Sequence, residues 1–457
     1  MHSYRALSWG GAILVVLGMT VVSLLSLRHK EAERTARLPD GSILTLQAVT
    51  FGTNHCAPSA FWRRLFKPLP EKLLARWGMA LPPQYTTTTP QLAFWLTRKD
   101  KTDERPLSYR LADESGFESL TILSDISPHF ITLSTNLEQA VFDTEVFPRR
   151  SSAFRLRVYQ GDNLLVPREE SINRSVHVAD FAVRNPVRKS YPSWTAQRKP
   201  MARRDGEMEF ILTELAITIN PRAGPEALYV FPNTWAEACF RMTQAGHLCR
   251  DWKAESIELF EATGQAWRFF EARGESTAVQ SLLISETIGE EEVSTFAWPF
   301  WLQETAWKLR VEFTRKPEAH FADGELWTVK GIAVPAPKAV SMINQQTNLL
   351  GYPIRLMALV GEHAVLPGRE HDVFGQTTIE VDVPSLPQKL RFEIVSVMDD
   401  RGRVAQQAMR AGNESFGYRI PSDAKTVDIR LALYQRRFAE YLVRPTFRTN
   451  DVAIFRR

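Results

Sequence analysis

Phe154, Leu156 and Val158 alternate with Arg155, Arg157 and Tyr159. A period of two predicts a strand buried on one face. The pattern returns in Trp307-Lys-Leu-Arg-Val-Glu-Phe313, with the Leu-Arg-Val centre kept, and in Ile429-Arg-Leu-Ala-Leu-Tyr-Gln435, with Arg-Leu and Tyr-Gln kept. The central leucines, Leu156, Leu309 and Leu431, lie 153 and 122 residues apart. Such intervals are domain-sized and too long for solenoid repeats. Pro148, Pro299 and Pro421 each stand six to eight residues before the first apolar residue of a copy. A second apolar stretch follows each copy, at 178–184, 326–334 and 438–444, and ends at Pro186, Pro335 and Pro445. Proline cannot donate to a sheet ladder and suits a strand end. In the third copy only Gln435-Arg436-Arg437 and its neighbours separate the two strands, which predicts a tight hairpin. The stretches 43–51 and 211–219 match at five of nine positions and predict equivalent opening strands.

These repeats predict a mainly β chain of three β-sandwich domains in series. The proline-then-strand corner resembles the approach to the penultimate strand of fibronectin type III and immunoglobulin-like sandwiches. The resemblance covers about twenty residues per copy. It implies a fold and no function. The paired cysteines of true immunoglobulin domains are missing. The expected boundaries are residues 1–37 for tail, anchor and stalk, 38–186 for the first domain, 187–206 for a basic proline-rich linker, 207–337 for the second domain, 338–350 for a second linker and 351–457 for the third domain.

Before the first repeat, residues 8–27 run for twenty residues without a charge. At ~1.5 Å per residue, a helix of that length crosses a ~30 Å hydrocarbon core. No small-residue cleavage site follows, so the run reads as an uncleaved anchor rather than a signal peptide. Arg28, Lys30, Arg34 and Arg37 after the span outnumber Arg5 before it. Counted alone, that places the following chain in the cytoplasm. Long domains translocate largely regardless of charge. The favoured topology is therefore a single pass through the inner (cell) membrane with the bulk of the chain outside the cytoplasm.

The opening Leu38-Pro39-Asp40-Gly41-Ser42, leading to Val49-Thr50-Phe51-Gly52-Thr53-Asn54-His55, resembles an uncharacterised family of membrane-anchored proteins from Verrucomicrobia-like bacteria. The resemblance implies an anchored protein and assigns no activity. Residues 58–83 predict two short helices inserted in the first domain, either a lid on its own sandwich or an interfacial pair on the lipid surface.

Composition narrows the function. Hydrophobic residues at 44% and charged residues at 24% are globular values. A net charge of +4 and the lack of any nucleic-acid motif argue against a nucleic-acid partner. From 184 to 204 the chain carries Arg184, Arg188, Lys189, Arg198, Lys199, Arg203 and Arg204, no acid, and Tyr191 and Trp194 between them. This is a solvated connector or a basic aromatic strip for an anionic partner, with Trp194, Arg198, Lys199, Arg203 and Arg204 as contact residues. Cys239, His247 and Cys249 supply too few ligands for a zinc site. A Cys239–Cys249 disulfide is the favoured reading outside the cytoplasm, with free thiols as the alternative. It supposes a helical turn near 235–243. Cys56 is left over.

His363, Glu370, His371 and Asp372 lack metal-ligand spacing and read as a polar loop. The Asp399-Asp400-Arg401-Gly402 run reads as a hairpin turn. Glu290, Glu291 and Glu292 read as a solvated face. Trp298 and Trp301 are a candidate aromatic surface for sugar, with corner packing as the commoner use. No nucleophile elbow, phosphate loop or nicotinamide fingerprint occurs, and no cofactor is expected. The expectation is a non-enzymatic, membrane-tethered modular protein acting in envelope structure, adhesion or complex assembly through a protein or anionic polymer. A carbohydrate-binding ectodomain, or a hydrolase whose site forms only in space, is the alternative.

Overall fold

The computed structural model describes residues 34–56, 84–100, 107–114, 131–134, 137–144, 146–160, 176–187, 189–219, 234–271, 282–296, 300–301, 303–364, 376–411 and 414–447. The expected anchor at 8–27, the helical insertion at 58–83, and Trp298, Glu370, His371 and Asp372 lie outside them. Among the described residues no helix is long and apolar enough to cross a membrane, and the regular structure is β-strand in several sheets, nearly all antiparallel.

The first unit holds β1 (Thr35–Arg37), β2 (Ile43–Cys56), β3 (Gln84–Lys99), β4 (Leu107–Ala112), β5 (Ile131–Ser134), β6 (Leu137–Thr144), β7 (Ala153–Gln160) and β8 (Val176–Arg184). They form two sheets, β1-β2-β3-β6-β5 and β4-β7-β8. The alternation read in 154–159 sends Phe154, Leu156 and Val158 inward, where they meet Leu44, Leu92, Phe94 and Leu96 from the other sheet in one core. Burying each such side chain contributes about 1.5–3 kcal/mol. The Pro39-Asp40-Gly41 turn joins β1 to β2, with Gly41 at φ +84. The Asp40 carboxylate accepts from the Ser42 amide and hydroxyl and from Arg98.

The second unit contributes β9 (Met201–Asp205), β10 (Met208–Ile219), β11 (Thr234–Gln244), β12 (His247–Leu248), β13 (Trp252–Glu261), β14 (Ala266–Glu271), β15 (Leu282–Ile288), β16 (Glu291–Phe296) and β17 (Trp307–Arg315). The third contributes β18 (Leu326–Ala333), β19 (Val340–Leu349), β20 (Tyr352–Val360), β21 (Thr377–Asp382), β22 (Leu390–Asp399), β23 (Gln406–Ala411), β24 (Ser415–Arg419) and β25 (Thr426–Gln435). The chain then continues through β26 (Arg437–Val443) and β27 (Thr446–Phe447).

The same strand order occurs three times. On one side it is β2-β3-β6-β5, β10-β11-β16-β15 and β20-β21-β24-β23; on the other it is β4-β7-β8, β13-β17-β26 and β22-β25-β18. The registers agree as well. Leu156 pairs with Leu111 and Phe181, Leu309 with Leu259 and Tyr441, and Leu431 with Ile394 and Trp327. All three leucines are fully buried. In the second unit β14 bridges the two sides, antiparallel to β13 and parallel to β15, so one sheet wraps around its core.

The last strand of each triplet departs from the sequence expectation. The stretch after β7 does fold back on it as β8, but β18 pairs with β25, and β26 pairs with β17. The second and third units have exchanged their closing strands. The expected β25–β26 hairpin cannot form, because Arg436 alone separates the two strands. Two-residue hairpin turns want residues at positive φ, typically Asn or Gly. Gln435-Arg436-Arg437 offers neither, and the chain runs straight on into the second unit.

Both expected linkers also end in strands. Residues 201–205 of the basic linker form β9, and residues 340–349 of the second linker form β19. Each pairs with the following strand through a tight turn, at Gly206 (φ +64) and at Leu350-Gly351 (φ +50 and +86). β19 is an edge strand with a single buried residue, which is why its polar run reads as a connector.

Candidate functional site

Two joints between the units bury Glu255, Glu261, Glu304 and Glu312. At the first, residues 146–151 enter a slot formed by the β13–β14 turn, the segment before β17, and residues 191–194. Gln265 Nε2 donates to the Phe147 carbonyl at 2.5 Å and Arg149 Nη1 to the Thr263 carbonyl at 3.2 Å. Arg150 Nε donates to Glu304 Oε1 at 2.7 Å, and its other nitrogens reach the carbonyls of Tyr191 and Pro192. Ser151 Oγ donates to Gln303 Oε1 at 2.7 Å.

The second joint joins β13 and β17 to β22 and β25. Glu312 Oε1 accepts from Arg436 at 2.9 Å and Arg391 at 3.2 Å, and its Oε2 accepts from Arg268 and Ser256 at 3.2 Å each. Arg391 also binds Glu255 at 2.5 Å and Glu393 at 3.3 Å, and the Tyr434 hydroxyl donates to Glu393 at 2.7 Å. Burial would lower the pKa of Arg391, but Glu255, Glu393, Tyr434 and Glu312 outweigh it and hold the guanidinium charged. Burial, followed by the Glu393 charge, pushes the Tyr434 hydroxyl well up, so it stays a donor. Beside this network Ala319, Phe321, Ala432 and Tyr434 form a small apolar cluster, and the Arg315 guanidinium lies 5.3–5.9 Å from the rings of Trp252, Phe321 and Tyr434. Sequence reading misses these charges because they sit at ordinary outward-facing positions. A second unit covers them only in the folded chain.

The basic stretch at 191–204 lies along β26 as a strap. Gln197 N–H donates to the Leu442 carbonyl at 2.8 Å. Arg203 donates to the Glu440 carbonyl at 2.7 Å and to Gln197, with its guanidinium 5.6 Å from the Tyr441 ring centre. Lys199 is half-buried and donates to the Leu215 carbonyl at 3.3 Å, and burial pulls its pKa down. Arg204 pairs with Glu209 at 2.9 Å in the open, an arrangement worth at most about 1 kcal/mol. Trp194 accepts from Thr305 through its carbonyl and lies under the Lys308 ammonium at 5.7 Å. Arg198 is exposed.

Other candidates are placed as follows. Trp301 is 2% exposed and packed in the second core, so it offers no open platform for a sugar. The expected Cys239–Cys249 disulfide is not formed. Residues 234–244 are strand and not a helical turn, and the Ala245-Gly246 turn brings the Cys249 amide onto the Met242 carbonyl. Three residues of strand, about 10 Å, then separate Cys239 from the position facing Cys249, beyond the ~7 Å reach of a disulfide. Cys56 is exposed. Glu292 is not solvated. It is buried and pairs with Lys316 at 2.9 Å, whereas Glu290 is exposed. His363 stands exposed in a turn at φ +59. Asp399 caps its own turn by accepting from the Arg401 and Arg403 amides. Among the described residues no group of three His, Cys, Asp or Glu is placed to hold a metal ion.

Comparison with family models, curated proteins and solved structures finds no match for the chain.

Proposed function

We propose that the chain is a membrane-tethered, non-enzymatic scaffold of three immunoglobulin-like sandwiches, locked to one another, that holds a partner or an envelope layer at a set position. The exchange of β18 and β26 between the second and third units carries this reading. Two strands cross that joint in opposite directions, so the two units cannot swing apart without breaking a ladder. The buried network around Glu312 fixes their relative orientation, in keeping with the use of buried ion pairs for specificity rather than stability. The strand order β2-β3-β6-β5 over β4-β7-β8 is that of a seven-stranded constant-type immunoglobulin sandwich, and it supports the assignment of all three units.

Residues 8–27 supply the tether in this reading, through the inner membrane, with the three units outside the cytoplasm. The partner is a protein or polymer. Lys199 and Arg203 are spent on carbonyls inside the molecule, whereas Arg198 and Arg204 stay exposed, so the contact surface lies elsewhere than on Lys199 and Arg203. Two measurements test the reading together. A reporter enzyme active only outside the cytoplasm, fused after Arg457, gives activity. Electron microscopy of the full chain in lipid nanodiscs shows one fixed angle between the second and third units. A silent reporter rejects the topology, and a broad spread of angles rejects the scaffold.

A further inference from the structure

Two sheet faces on different units carry opposite charge. The first is the outer face of β4, β7 and β8. Their inward residues fill the first core, so the alternate positions point out. The register sets Arg157 between Arg110 and Asp180, and Arg155 opposite Ala182, with Arg184 two residues further along β8. Within these strands four arginines meet one acid, Asp180, and Glu114 lies at the rim. Asp180 is shared between Arg157 at 3.7 Å and His177 at 3.0 Å. The Arg110 guanidinium stacks over the Tyr159 ring, 4.9 Å from its centre. Arg155, Ala182 and Arg184 are exposed.

The second is the outer face of β11, β16 and β15. Glu237, Thr295 and Ile284 stand in one row across it, and Cys239, Val293 and Glu286 in the next. Glu291 and Ile288 stand opposite each other in a third, with Arg241 4.0 Å from Glu291. Glu290, in the turn between β15 and β16, lies 3.7 Å from Arg241. Four carboxylates thus share one arginine. Glu209 and Glu214, on the neighbouring β10, are matched by Arg204 and Lys199. Glu286 is exposed, and so are Ile284 and Ile288 on either side of it, at 41% and 60%.

Each face is three strands wide, about 10 Å between its outer strands. Each sets its charge on a partly apolar ground, Tyr159 and Ala182 on one and Ile284, Val293 and Ile288 on the other. A patch of one sign asks only for some partner of the other sign. This chain carries both, open and on different units, so a second copy supplies the complement. We propose that the partner is a second copy of this chain, the arginine face of one first unit docking on the glutamate face of another chain's second unit. The isoleucines give the contact its apolar area, and the charges fix which faces meet. A contact between unlike faces is heterologous. Each docked copy keeps one face of each kind open, so the contact repeats into a ring or an array. The assembly rests on these two faces alone and holds or fails apart from the tether and the exchanged strands.

Sedimentation velocity of the full chain in detergent micelles, over a series of salt concentrations, tests it. At low salt the chain associates more as its concentration rises. Near 1 M salt, where the screening length falls to about 3 Å, it returns to single chains. Two variants sort the cause, Arg155→Glu with Arg184→Glu, and Glu286→Lys with Glu290→Lys. All four positions are exposed, so the fold tolerates the changes. Each variant alone sets like charges opposite one another and weakens association by more than about tenfold. Mixed in equal amounts the two associate again, because each brings the face the other needs. An unaltered chain that stays single at low salt overturns the proposal. So does association that survives either reversal, and so does a mixture that stays single. A single chain that instead binds long-chain polyphosphate, and loses it in Arg155→Glu with Arg184→Glu, overturns the second copy and assigns the arginine face to a polyanion.

Discussion

Glu312 occupies an outward-facing position of β17, in step with Lys308 and Arg310, yet only 4% of its side chain is exposed. Its burial is the work of the third unit, which lays Arg391 and Arg436 over it. Removing one member of a buried ionic group leaves its partners uncompensated and costs about 3–5 kcal/mol. Glu312→Ala should lower the unfolding midpoint accordingly, and Arg391→Met, which also strips Glu255 and Glu393 of their cation, should lower it at least as far in a denaturant titration. A second residue makes a sharper steric claim. A Cβ on Gly361 would lie 2.4 Å from the Ala336 carbonyl oxygen and 3.0 Å from that of Ala339, both backbone atoms with little freedom to move. Gly361→Ala should destabilise by about 1–3 kcal/mol, as overpacking does. The thermal midpoint reads this directly. The inward leucines at 156, 309 and 431 were legible in the sequence because alternation is local. The burial of Glu312, Glu261 and Glu304 was not, since no local pattern records which unit will cover an outward face.

At the scale of elements, the existence of β7, β17 and β25 follows from period two, and the choice of partner does not. β18 and β26 each follow a strand they could pair with, as β8 does, and each pairs elsewhere. The sign that was open to reading is the single residue between β25 and β26. It leaves no room for a turn and gives no residue suited to one. β9 and β19 were hidden for a different reason. Edge strands bury little, so their polar runs resemble linkers. The Cys239–Cys249 bridge failed for another reason: a strand in place of a helical turn sets the two thiols too far apart. The exchange has a consequence for truncation. Removing residues 437–457 takes Ala439, Tyr441 and Val443 out of the second core and bares the edge of β17, while among the described residues the third core loses none of its members. Hydrogen exchange should show β13 and β17 losing protection and β20, β21 and β22 keeping it. The reverse pattern would mean that β26 belongs to the third unit.

At the scale of the molecule, three units of one strand order are joined in two different ways. The first joint is a segment docked in a slot and strapped by 191–197. The second is a ladder shared by two units, which only unfolding can open. The two joints therefore differ in kind: side-chain contacts hold the first, and a shared ladder holds the second. The fixed joint is the central claim, and four outward-facing positions test it most directly. In the exchanged arrangement Lys308 is opposite Leu442 and Thr328 is opposite Arg430. In the unexchanged one, with the register of β7 and β8, Lys308 would face Thr328 and Arg430 would face Leu442. Cysteines are placed in pairs in a full chain whose native cysteines are replaced by serine, and treated with a short thiol cross-linker. The pairs Lys308→Cys with Leu442→Cys, and Thr328→Cys with Arg430→Cys, should link within one chain. Linking instead in Lys308→Cys with Thr328→Cys, and in Arg430→Cys with Leu442→Cys, would contradict the exchange and the fixed joint with it.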